Sequence, residues 1–321
     1  MTGNLLIAST ALFFSDAALY ESSNWNKNGW IIPGNAMEII NSGALQSDMR
    51  TPVLDWFGLL NSGKMTAGVG ASDSHTVSRY LLGQARTYIY GEDKDPANLP
   101  TEQIIQNFAA GKTMVSFGLL TEIIVNEKAV AGDTIKIKKP TLTVTVRVSG
   151  PSWTKADTVA LYANGIKIKE VAVQDPGRPG IKWEKTWSIP TPKHDIFLAA
   201  IATGPGKKNK PYWQIARPYQ PTVSKWTPMV MGVSGAVFVS THPIKEWQSA
   251  SQYASTLVKD ANGNLPILLR KMKSFDEAVA IQVARHLYID GISPDKVINS
   301  PGFLNSSPAT VSGFKKFLAG L

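Results

Sequence analysis

Hydrophobic and polar positions change their period twice along this chain. Up to about residue 120, short apolar runs alternate with helical patterns. Ala36-Met37-Glu38-Ile39-Ile40-Asn41 reads as a strand, and Thr51 to Leu60 as a helix burying Val53, Leu54, Trp56, Phe57 and Leu60. Gly63 is placed to cap that helix. Thr66 to Ala71 and Ala85 to Tyr90 read as further strands, Pro100 to Ala110 as a helix ended by Gly111, and Met114 to Phe117 as a short strand. Strand, helix, strand, helix in that order predicts a parallel sheet or barrel.

From Leu120 to about Tyr219 the period becomes two. Thr141 to Ser149, Thr158 to Ala163, Ile166 to Val173, Lys182 to Ile189 and Ile196 to Thr203 alternate, separated by turn clusters such as Asn164-Gly165 and Asp175-Pro176-Gly177. An Asn-Gly pair between two such runs predicts a hairpin, because a type I′ turn needs positive φ at both positions. Five strands of this kind predict an antiparallel sandwich. The last third opens on the apolar run Met229 to Val239 and then turns helical. Phe275, Val279, Val283 and Leu287 recur at helical spacing, with Ser274 as N-cap, Glu277 three residues on, and Gly291 as the stop. Ser312 to Leu318 reads as another helix. The expected organisation is therefore an α/β segment over 1–120, an antiparallel β-sandwich over 121–222 and a mainly helical region over 223–321.

Composition narrows the chemistry. Of 321 residues, 43% are hydrophobic and 18% charged, which excludes disordered, collagenous and coiled-coil chains. The absence of cysteine excludes disulfides, thiolate zinc sites, iron–sulfur clusters and a cysteine nucleophile. The longest apolar run, Leu5 to Phe14, is interrupted by Ser9 and Thr10 and is about half of what a membrane span needs, so no transmembrane helix is expected. No basic residue precedes that run and no small-residue cleavage site follows it before Asp16, so no signal peptide is read. The sequence leaves the compartment open.

The net charge of +9 divides into −3, +8 and +4 over residues 1–120, 121–222 and 223–321. The excess alternates with apolar residues in Ile135-Lys136-Ile137-Lys138 and Ile166-Lys167-Ile168-Lys169, as on a half-buried sheet with a solvated lysine face. No nucleic-acid-reading motif accompanies it, so no nucleic-acid partner is expected. Trp153, Trp183, Trp187, Trp213 and Trp226 crowd the alternating region, where core filling is the simpler reading and a sugar platform the sharper one.

One histidine of the four lies in a constellation that chemistry would choose. Asp73 and His75 follow the small-residue strand ending Val69-Gly70-Ala71, at the strand end where parallel α/β structures carry their sites. Asp-x-His in extended chain sends a carboxylate oxygen and an imidazole nitrogen to one point, a donor set for zinc, manganese or iron. The competing reading makes Asp73 a helix cap and His75 a locally bonded histidine. His194 reads as an exposed turn residue, His286 as a charge near a helix C-terminus and His242 as a loop residue before Pro243. No phosphate loop, nucleophile elbow or His-Glu-x-x-His helix is present, and Gly68-Val69-Gly70 lacks the third glycine of a dinucleotide fingerprint.

Several motifs in order carry a family resemblance. Ala36 to Asn41, Asp55-Trp56-Phe57-Gly58-Leu59-Leu60-Asn61-Ser62-Gly63, Gly70-Ala71-Ser72-Asp73-Ser74-His75, Gly83 with Arg86-Thr87-Tyr88, Gly111 to Ser116, Val148 to Trp153 and Leu161-Tyr162-Ala163-Asn164-Gly165 together resemble the polymerase-and-histidinol-phosphatase (PHP) superfamily. Within it they are similar to the carbaryl-hydrolase-like branch, over about residues 20 to 240. The resemblance implies a distorted (β/α)₇ barrel, of which this chain would hold the C-terminal half. It also implies two or three divalent metals that activate water against a phosphoester or other ester, with Asp73 and His75 as the last ligands. The family's opening His-x-His and its middle His and Glu ligands would lie upstream, and Asn35 stands where many relatives carry an acid.

Two function classes follow. In one, the chain is the C-terminal portion of a metal-dependent (phospho)ester hydrolase, completed by an upstream barrel half or a second chain and acting on a small-molecule ester. In the other it is a degenerate, non-catalytic binding or scaffolding module. Two ligands are too few for a catalytic zinc, so robust activity from this chain would require others among Glu38, Asn41, Asp55 and the remaining histidines.

Overall fold

The computed structural model describes residues 35–74, 82–137, 139–206, 228–242 and 246–320. Its first unit is β1 (Ala36–Ile40), α1 (Thr51–Ser62) and β2 (Ala67–Gly70), with β2 parallel to β1. Every position of both strands is buried, as the apolar run and small residues require of a parallel pair covered on both faces. Gly63 ends α1 at φ 95°, its N–H returning to the carbonyls of Leu59 and Leu60.

The parallel run stops there, and this overturns the expected partial barrel. Ala67 and Ala71 bond back to Asn35 and Ile40, so the edge of β2 away from β1 is formed by Gly68 and Gly70. On that edge Gly70 N–H donates to Thr87 Oγ1 (2.8 Å), the Thr87 hydroxyl donates to the Gly70 carbonyl (2.9 Å), and the Thr113 hydroxyl donates to the Gly68 carbonyl (3.0 Å). Threonine side chains thus satisfy groups that a third parallel strand would otherwise meet. Gly70 permits the approach, since a Cβ there would lie 2.6 Å from Val115 Cγ1.

Thr87 and Thr113 belong to β3 (Arg86–Ile89) and β4 (Thr113–Phe117), which are antiparallel to each other and joined through α2 (Thr101–Ala109). The remaining strands are β5 (Leu120–Val125), β6 (Thr134–Lys136), β7 (Thr141–Gly150), β8 (Thr158–Ala163), β9 (Ile166–Ala172), β10 (Gly180–Pro190), β11 (Ile196–Gly206), β12 (Met229–Ser234) and β13 (Val237–Ser240). One sheet runs β10-β7-β5. The other, of eight strands, runs β3-β4-β12-β11-β13-β6, with β8 on the second side of β11 and β9 outside β8. All pairings in these two sheets are antiparallel except β6 with β13, and neither sheet closes. Strands from both sides of residues 120 and 222 therefore share one sheet.

Alternation accounts for the long strand β7. In β7 the buried positions are Leu142, Val144, Val146 and Val148, with threonines and Arg147 between them. β11 has neighbours on both edges and Phe197, Leu198, Ala199, Ala200 and Ala202 fully buried, so it reads as a continuous apolar run. The lysine-bearing β9 departs from the expected half-buried strand: among the described residues it pairs only with β8, and its middle positions are exposed on both faces.

The helical region is present as expected: α3 (Ala250–Ala261), α4 (Leu265–Met272), α5 (Glu277–Ile289), α6 (Pro294–Ile298) and α7 (Pro308–Ala319). These pack around their own core of Leu257, Leu268, Met272, Val279, Val283, Leu287, Phe314 and Phe317. The N-cap of α5 is Asp276 rather than Ser274, because Asp276 is extended (ψ 179°) and its carboxylate accepts from Val279 N–H. No helix among the described residues is long and apolar enough to cross a membrane.

Candidate functional site

The parallel pair carries one acid within β1 and is followed by another just past β2. Glu38 sits within β1, a strand buried at all five positions, and is itself only 6% exposed. Burial raises its pKa most; the Asn41 side chain, donating to Glu38 Oε1 at 2.7 Å, lowers it, and the negative charge of Asp73 raises it again. Asn41 is fixed in turn because its Oδ1 accepts from Gly43 N–H at 2.7 Å. Asp73 follows β2 at φ 50°, a left-handed conformation that Asp tolerates, and is exposed. The two strands therefore juxtapose a buried carboxylate and an exposed one.

Of the two expected ligands, Asp73 takes this position and His75 lies outside the described residues. Glu38, which the sequence offered only among residues that could complete the set, is the acid whose ionisation feels the Asp73 charge. Its signal was a lone acid inside the apolar run Ala36 to Ile40, since a charged side chain is rarely placed at a fully buried position without a role. The carboxylates of Glu38 and Asp73 are oxygen donors that suit a divalent cation. Among the described residues no group of three or more His, Asp or Glu is arranged to hold a metal.

A second buried acid lies on α1. Asp55 is 2% exposed, its Oδ1 has no hydrogen-bond partner, and burial pushes its pKa up to about 8. Its carboxyl is thus mainly neutral at pH 7.

The remaining histidines do not gather at Asp73. His194 is 5% exposed rather than on the surface of its turn, because its ring packs against Tyr253 and Phe275 and its Nε2 lies 3.1 Å from Asp276 Oδ2. Burial raises the pKa of Asp276, but His194, the Val279 N–H and the Asn164 side chain together hold it below the usual carboxylate range. His242 Nε2 is 3.1 Å from the Tyr253 hydroxyl, and His286 Nε2, in the last turn of α5, is 3.1 Å from Ser251 Oγ. Both contacts are local and structural in kind. Among the tryptophans, Trp183 and Trp187 stack at 5.4 Å against the core, Trp153 is 61% exposed, and Trp213 and Trp226 lie outside the described residues.

No family model matches this chain, and no curated protein matches it. Among solved structures it is similar to a lytic polysaccharide monooxygenase from Jonesia denitrificans, at 16% identity and a TM-score of 0.19, over 36% of this chain and 62% of that one. It is also similar to an engineered protein, at 13% identity and a TM-score of 0.21, over 70% of this chain and 53% of that one. The chain thus spans less than two thirds of either neighbour's length. Likeness at these scores carries no argument about fold or chemistry.

Proposed function

We propose that this chain supplies part of the ligand set of a divalent-metal (phospho)ester hydrolase, with ligands for at most one ion where two-metal ester hydrolysis needs more, so that turnover by this chain is poor. The observation that carries the reading is the proximity of buried Glu38 in β1 to Asp73 just past β2, whose negative charge adds to the burial that raises the Glu38 pKa, a cost that a bound cation would relieve. The likeness of Gly70-Ala71-Ser72-Asp73-Ser74-His75 to the PHP family's last metal motif supports it. Glu38, Asp73 and His75 would hold the ion, zinc, manganese or iron, and Asn41 would orient the Glu38 carboxylate through its 2.7 Å hydrogen bond. A bound divalent metal supplies an activated water for attack on an ester.

The test is metal titration of the purified chain by calorimetry with Mn²⁺ and Zn²⁺, alongside hydrolysis of a chromogenic phosphodiester and an aryl ester. Saturable binding that weakens about tenfold or more in Glu38→Gln, Asp73→Asn and His75→Ala, with no more than trace turnover, is the expected result. Robust turnover abolished by His75→Ala would overturn the incomplete set. Absence of metal binding would overturn the metal reading and leave a non-catalytic module.

A further inference from the structure

A cleft opens where the exposed strand β9 meets the helices. One cavity of about 460 Å³ is lined by Ile168 and Lys169 of β9, Pro190 of β10, Lys193 and His194 of the turn that follows, and Phe275 before α5. An adjoining cavity of about 430 Å³ shares Ala163, Ile168 and Asp276 with it and extends to Pro308 at the start of α7. Each is an open depression with about the volume of a single small organic molecule. The walls are mainly apolar, and two exposed lysines, Lys169 and Lys193, line the first.

Charge decides which molecule fits. Lys169 and Lys193 have no carboxylate partner among the described residues. The nearest acid on β9, Glu170, is taken by Lys167 at 2.6 Å. On the opposite wall Asp276 is occupied by His194 (3.1 Å), Asn164 Nδ2 (2.9 Å) and Val279 N–H (3.0 Å), and Glu277 is paired with Lys316. Asp276 stays ionised but its oxygens are occupied from within, and the Glu277 charge is offset by Lys316, whereas Lys169 and Lys193 are exposed at the cleft without such a partner. Behind them His194 is buried with no hydrogen-bond partner for its Nδ1.

We propose that this cleft binds a small amphipathic carboxylate. Its apolar body lies against Ile168, Pro190 and Phe275, and its carboxylate sits between Lys169 and Lys193. The site is separate from the Glu38 and Asp73 pair and stands whether or not that pair binds metal.

Calorimetry with 4-phenylbutyrate at low salt tests it, with neutral 4-phenylbutanamide as the comparison. Saturable binding of the acid is expected, weakened about tenfold in the amide and in a Lys169→Ala/Lys193→Ala double variant. Ile168→Asp should abolish it, and Asp73→Asn should leave it unchanged. An equal loss in a Lys128→Ala/Lys296→Ala control, whose lysines are exposed elsewhere, would overturn the site in favour of general charge attraction. Equal affinity for acid and amide, or no binding at low millimolar ligand, would also overturn it. All the lysines changed are exposed, so the variants keep the fold.

Discussion

Asp55 is an acid held inside α1 without a full set of partners, and its ionisation sets a pH dependence. Its pKa rises from 3.8 to about 8 through burial, so between those values the unfolded chain has released a proton that the folded chain keeps. The folded state is therefore penalised as pH rises through this window, and the penalty is absent below about 4. The urea midpoint of the wild-type protein should fall between pH 5 and pH 8, and Asp55→Asn should remove most of that slope. An unchanged slope in the variant would show that Asp55 ionises freely. Asn41 gives a second residue-scale case. Its fixed amide holds Glu38 by one hydrogen bond, so Asn41→Ala should raise the Glu38 pKa further, readable by carboxyl titration in NMR spectra.

At the scale of elements, the glycines within strands decide which strands can approach. Gly232 in β12 faces β5 so closely that an added Cβ would lie 2.5 Å from the Leu119 carbonyl and from Thr121 Oγ1. Neither atom can retreat, because Leu119 is backbone and Thr121 is fully buried in β5. Gly232→Ala should destabilise the protein by about 2 to 3 kcal/mol in denaturant unfolding. The same reasoning explains why the parallel reading failed after β2. Its small residues are the signature of close backbone approach, which a barrel strand and an edge sealed by Thr87 and Thr113 both need. Periodicity placed the strands and could not say which neighbour each would take, or in which direction.

Across the whole molecule, two apolar cores meet at one buried turn. Asn164, at φ 47° in the hairpin between β8 and β9, accepts from Phe197 N–H through Oδ1, donates to Asp276 through Nδ2, and accepts from Asn61 at its carbonyl. It so links the sandwich, the cap of α5 and the end of α1. Asn164→Ala should cost about 3 kcal/mol, since it leaves buried polar groups unpaired. Among the described residues Trp56, Trp183, Trp187 and Trp247 lie in or against the first core and no tryptophan packs in the helical core, so their fluorescence reports on the first core while far-UV circular dichroism includes the helices. The two transitions should coincide in the wild type and separate in the variant. Coincidence in both would show that the cores are coupled elsewhere. The sequence by itself located most of the strands up to β11, the helices at Thr51–Ser62, Thr101–Ala109 and Glu277–Ile289, and the Asn164-Gly165 turn, because periodicity and left-handed backbone preference are local properties. It also singled out Asp73 as a candidate ligand. Only the tertiary structure decided the antiparallel pairing of β3 and β4, the burial of His194 against Asp276, and the meeting of Glu38 with Asp73. Those depend on which distant segments share an edge, and burial and opposing charge belong to the packed chain rather than to any window of it.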